Sequence, residues 1–80
     1  MIYNPRQLAN YLKLLRTRKH LTQAQVAKRV GIKQSTLSSF ETNPETTRLQ
    51  TFFKIIQALE LNLEVHERKV AVEAQDDEVW

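Results

Sequence analysis

Residues 22–41 read TQAQVAKRVGIKQSTLSSFE. Thr22 followed three residues later by Gln25 has the form of a capping box, in which hydroxyl and amide each satisfy a free backbone donor. A short helix should run from there to about Val30. Gly31, the only glycine in the chain, stands where a left-handed residue would end it. After Ile32-Lys33 the next helix should open near Gln34 and reach about Glu41, with Leu37 and Phe40 turned inward. Ala27 lies four positions before the glycine, and Val26, Val30, Ile32, Leu37 and Phe40 are apolar. That spacing fits a helix-turn-helix: Ala27 admits a close crossing, Gly31 makes the turn, and the apolar set buries the joint.

The flanks read as helices too. Asn4-Pro5 supplies a cap and a first helical residue that needs no amide partner. Leu8, Tyr11, Leu12 and Leu15 then fall on one helical face. Arg16-Thr17-Arg18-Lys19 puts cations in the last turn, where the helix dipole favours them. Downstream, Thr42-Asn43-Pro44-Glu45 is a break. Thr47-Arg48-Leu49-Gln50 repeats the capping-box form, and Leu49, Phe52, Phe53, Ile56 and Leu59 carry the strongest helical period in the chain.

Then the period changes to two. Leu61, Leu63 and Val65 alternate with Asn62, Glu64 and His66, as in a half-buried strand over about 61–67. A lone strand leaves its ladder groups unpaired unless a second copy supplies the partner. The expectation is therefore a homodimer joined by this strand, antiparallel across a two-fold axis. The alternative is an irregular extended segment packed on its own domain. Residues 68–80 hold six charges and little periodicity, and read as an acidic tail that is disordered when free. The fold class is mainly α: a helix-turn-helix domain over 4–67, ending in the dimerisation strand, then the tail.

The net charge of the 80 residues is +3, but it is split. Residues 1–60 carry ten basic groups against three acids, a net +7, whereas 61–80 carry two against six, a net −4. A basic body suits a polyanion, and the acidic end suits something else. The absence of cysteine excludes disulfides, thiolate metal sites and a cysteine nucleophile. No apolar run approaches the roughly 18 residues of a membrane span, and no secretion signal opens the chain. A cytoplasmic setting is the default, on the nucleoid when DNA is bound. Ser35, Ser38 and Ser39 lack a paired base, His20 has no acid or second ligand nearby in sequence, His66 lies on the polar side of the strand, and one glycine cannot build a phosphate loop. No enzyme, cofactor or metal site is indicated.

The outward positions of the third helix are Gln34, Ser35, Ser38 and Ser39, led by Lys33. They form hydrogen bonds rather than merely solvate. An ordinary helical hairpin with a soluble face is the plainer reading, but the basic body favours double-stranded DNA. Lys33 and Gln34 are the expected base readers, since Lys can donate to guanine and Gln can pair bidentately with adenine. Ser35 and Ser38 share that face. Gln23 and Thr36 are expected at phosphates, with Arg18, Lys19, Lys28, Asn43 and Arg48 as candidate backbone neutralisers, although for any one of these last five a solvated surface group is the favoured reading.

From Leu12 to Leu59 the chain resembles helix-turn-helix domains of the phage-repressor and Cro type, the xenobiotic-response-element family. LTQAQVAKRVGIKQSTLSSFE, residues 21–41, carries that pattern at nearly every position, down to the acid Glu41. QLANYLKLLRTRKHLTQAQVAKRVGIKQSTLSSFETNPETTRLQTFFKIIQALEL, residues 7–61, is similar to the HipB antitoxins. So are the Ile2-Tyr3-Asn4-Pro5 start, the segment Leu61–Glu67 and Trp80. One departure from the wider family is the missing glycine after the third helix, replaced by Thr42-Asn43-Pro44.

The resemblance implies a lambda-repressor-like fold of four to five helices with C-terminal strands paired across a dimer. It implies a repressor that binds palindromic operators in its own promoter. It also implies a second partner, a HipA-type serine/threonine kinase toxin held inactive in a complex. Trp80 then becomes a candidate anchor in a kinase pocket; a degradation signal and a terminal accident are the competing readings. The competing function is a stand-alone phage- or stress-type repressor whose strand and tail serve only dimerisation and solubility.

Overall fold

The computed structural model describes residues 1–68. Four helices follow one another: α1 (Pro5–Arg18), α2 (Gln23–Val30), α3 (Gln34–Thr42) and α4 (Leu49–Ala58), with a single 3-10 turn over Pro44–Thr46 between the last two. Their starts follow the local chemistry. The Gln7 N–H donates to Asn4 Oδ1 at 2.8 Å, and the Tyr3 N–H donates to Gln7 Oε1 at 2.7 Å. At α2 both halves of the capping box form: the Gln25 N–H to Thr22 Oγ1 at 3.1 Å and the Thr22 N–H to Gln25 Oε1 at 2.8 Å.

Three helices end in one way. The N–H of Leu21 reaches Arg16 O, that of Ile32 reaches Ala27 O, and that of Leu61 reaches Ile56 O, each at 3.0–3.1 Å. Such closure needs a left-handed residue in between. Gly31 takes that role with φ +69, and nothing beyond its own local backbone lies within 4 Å of where a Cβ would stand, so conformation rather than space calls for glycine. His20 (φ 57) and Glu60 (φ 59) take the same conformation with a Cβ, at a cost of about 1–2 kcal/mol each.

The start of α4 differs from the expected capping box. Its cap is Arg48, which makes no side-chain cap hydrogen bond. Thr47 is held one residue earlier, its N–H closing the 3-10 turn on Pro44 O at 3.1 Å. Pro44 starts that turn with φ already preset, and this takes Thr47 out of position to cap α4.

The core gathers Ala9, Leu12, Val26, Leu37, Phe40, Ile55, Ile56, Ala58 and Leu59. Ala9 is fully buried while Tyr11 is 47% exposed, so the inward face of α1 is turned from the stripe that its large residues suggest. On α4, Ile55 is inside, whereas Leu49 (73%) and Phe53 (51%) lie outside. Residues 61–68 have no regular secondary structure within the single chain. Leu61 still packs against the core, but Leu63 and Val65 point away from it and are exposed. No strand is present among the described residues, and pairing with a second copy lies beyond a single chain. Most of the acidic tail, Trp80 included, falls outside the described residues.

Candidate nucleic-acid interface

The helix with the polar outer row is α3, and what fixes it is unusual for so small a core. Glu41 is buried, with 8% of its surface exposed. Arg16 grips it bidentately, Nε to Oε2 at 2.8 Å and Nη2 to Oε1 at 3.1 Å, while Nη1 donates to Leu21 O at 2.8 Å. Two parallel charge-assisted bonds are the strong form of this pair. Gln23 Nε2 adds a third donor to Glu41 Oε1 at 2.9 Å, and Gln34 Nε2 donates to Gln23 Oε1 at 3.5 Å. The network ties α1, the start of α2 and both ends of α3 together. Arg16, expected only to complement the dipole of α1, is thus a core ion-pair partner.

Two more arginines are committed within the chain. Arg6 donates to the carbonyls of Glu41 (3.3 Å) and Thr42 (2.7 Å), capping α3. Arg29 Nη1 donates to Ala58 O at 2.9 Å and caps α4. The basic groups left facing solvent are mostly lysines, with Arg18, Arg48 and Arg68, the last with its guanidinium 5.8 Å from the centre of the Tyr3 ring.

The expected base readers share the outer side of α3. Lys33 caps the helix, offers no side-chain acceptor to its amides and is exposed. Gln34 and Ser35 are exposed and Ser38 is half-buried. Thr42, one turn beyond Ser38, continues the row; α3 runs one residue further than the sequence predicts, into the Thr42-Asn43-Pro44 segment. Its hydroxyl donates back to Ser38 O at 2.9 Å.

Thr36 lies on the flank of α3 instead. With Ser39, Thr46, Thr47, Arg48 and Thr51 it lines a shallow polar depression of about 330 Å³ beside the start of α4. Hydroxyls and a guanidinium converging there have the chemistry to hold a phosphate. Arg48 and Thr36 are therefore brought together, as Gln23 and Gln34 are. Asn43 is exposed, and its carbonyl accepts from Thr46 Oγ1 at 3.3 Å. Arg18, Lys19 and Lys28 are exposed and form no ion pair among the described residues.

A second surface is apolar. Ile2, Tyr3, Leu8, Phe40, Leu49 and Phe52 line a groove of about 380 Å³. Tyr3 is 65% exposed, and Phe53 lies against Phe52 with ring centres 5.5 Å apart and the rings tilted by 53°.

Comparison with known proteins agrees with this architecture. The helix-turn-helix family profile matches residues 12–65. The antitoxin HipB of Escherichia coli K12 is 53% identical over 70 residues, which cover 88% of this chain and 80% of that protein. Among solved structures, a chain of a HipA–HipB–O2–O3 complex superposes with a TM-score of 0.83 at 52% identity, covering 86% of this chain and 97% of the other. A chain of a HipB–O4 20mer complex gives the same TM-score, identity and coverage.

Proposed function

Because the chain belongs to the helix-turn-helix family and, within it, to the HipB antitoxins, we propose that it is a dimeric autorepressor that binds palindromic operator DNA and neutralises a HipA-type serine/threonine kinase toxin by complex formation. The DNA reading rests chiefly on the outer side of α3, where Lys33, Gln34, Ser35 and Ser38 form one hydrogen-bonding row on a helix anchored from behind by a buried ion pair. A rigid helix with that row is suited to the major groove. Lys33 and Gln34 read base edges, Ser35 and Ser38 reach bases or phosphate, and Gln23, Thr36 and Arg48 hold the backbone on either side. Arg18, Lys28 and Asn43 add charge or a further polar contact at the rim.

Replacing Lys33 tests the assignment. Lys33→Ala should weaken operator binding by about 1–3 kcal/mol and relax preference at one base position, with little change on random duplex. Equal loss on operator and random DNA, measured by fluorescence anisotropy at matched salt, would make Lys33 a phosphate contact instead.

Dimerisation through Leu61, Leu63 and Val65 is supported by the exposure of Leu63 and Val65 in a single chain. The apolar groove and the exposed Leu49 and Phe53 extend the same need for cover. Patches of this kind on a small protein mark interfaces. The recognition helices then meet half-sites about one helical turn, roughly 10 bp, apart.

For the toxin, the tail carries the proposal. Trp80 is a large aromatic in an acidic stretch, the residue type that anchors interfaces. Removing Val79-Trp80 should weaken capture of the co-expressed kinase by about tenfold or more, leaving operator affinity within error of wild type. Equal capture of the kinase by both forms would remove Trp80 from the toxin interface. Failure of both forms to retain a kinase would leave the stand-alone repressor.

A further inference from the structure

The geometry points to Glu41 as the residue that decides which end of the Gln34 amide faces DNA, acting through Gln23. The inference rests on the base-reading role proposed for α3 and adds a positioning residue that never touches the nucleic acid. A carboxylate clamped by a guanidinium accepts hydrogen bonds and donates none. Gln23 must therefore turn its Nε2 toward Glu41, as it does at 2.9 Å. Its Oε1 is then forced to the other side, toward the first residue of α3. There only a donor fits, and Gln34 presents Nε2 at 3.5 Å.

The consequence is a fixed polarity at the DNA surface. With one N–H of Gln34 turned inward, its Oε1 and second N–H remain free. That is the acceptor–donor pair that matches the amino group and N7 of adenine. Reversing the Gln34 amide would set two carbonyl oxygens against each other, so the reversed reader is disfavoured as long as Gln23 is held. Arg16 secures the far end, bound to both carboxylate oxygens. The buried charge thus acts on specificity as well as on stability, through a chain of two amides. A neutral amide at position 41 would both accept and donate, Gln23 would turn either way, and the polarity of Gln34 would no longer be set.

The test is site selection from a randomised double-stranded DNA library, with melting curves alongside. Gln34→Ala should flatten the adenine preference at one position of each half-site by about tenfold, which identifies that position. Gln23→Leu, which leaves the Arg16–Glu41 pair intact, should lower preference at that same position on the order of threefold without a large loss of stability. Glu41→Gln should do the same and also melt earlier. The double variant Gln23→Leu/Gln34→Ala should show the base profile of Gln34→Ala alone. If Gln23→Leu and Glu41→Gln weaken binding uniformly and leave the profile intact, the relay is wrong while base reading by Gln34 stands. Should Glu41→Gln fail to fold, Gln23→Leu decides by itself. If Gln34→Ala changes no position, the base-reading premise falls and takes the relay with it.

Discussion

Glu41→Ala should lose about 3–5 kcal/mol of stability, the largest effect expected from any single substitution in this domain. The reason is the charge left behind. Side-chain exposure is 11% for Arg16 and 4% for Glu41, so removing the carboxylate strands a guanidinium away from water with only Leu21 O as a partner. Gln23 loses its acceptor at the same time. A domain of this size melts roughly 4–8 °C lower per kcal/mol lost, and its total stability is only about 5–15 kcal/mol. The variant should therefore unfold tens of degrees early, or fail to fold at growth temperature. The paired replacement Arg16→Met/Glu41→Leu should recover most of the loss, since apolar residues of similar size avoid both desolvation terms. Thermal and urea melts followed by circular dichroism decide it. A Glu41→Ala protein that melts within a few degrees of wild type would mean that the pair is solvated.

That ion pair also marks where local sequence reading stops. Capping and turn chemistry act within four or five residues, so Asn4, the Thr22–Gln25 box and Gly31 were legible and stand as expected. The outer row of α3 was legible from Gln34 to Ser38, because helical spacing is also local, but Ser39 lines the depression beside Thr36 and Thr42 extends the row. Arg16 and Glu41 lie far apart in sequence, and no periodicity links them; a cation in a last turn already had a sufficient local explanation in the dipole. Ala9 was missed because a methyl group carries too little bulk to mark a buried position. Tyr11, Leu49 and Phe53 show a further limit. Helical spacing finds an apolar stripe, but it cannot say which edge of the stripe meets the domain's own core and which is left for another surface. The Thr47 box failed through competition, because the 3-10 turn at Pro44 had already claimed the residue.

Leu63→Asp/Val65→Asp should convert the protein to a monomer and reduce its affinity for a palindromic operator about 100- to 10,000-fold, the span lost when two linked contacts become one. Within one chain these side chains hold nothing together: Leu63 is 47% exposed and Val65 is 90% exposed. Two carboxylates there should leave helix content unchanged, which separates loss of assembly from loss of folding. Across a two-fold axis the same residues would face apolar partners, and a buried unpaired carboxylate is costly. The residual binding should be that of a single α3 in a single half-site, insensitive to half-site spacing. Wild type, in contrast, should lose most of its affinity when five base pairs are inserted between half-sites, because half a turn of DNA moves the second half-site to the opposite face. Sedimentation velocity and anisotropy on the two duplexes give both results. A double variant that remains a dimer would move the interface to the groove of Tyr3, Leu49 and Phe52, where Phe53→Asp is the next substitution to make. Either result leaves α3 as the reader; what changes is which apolar surface sets the distance between two readers, and with it the operator spacing the protein recognises.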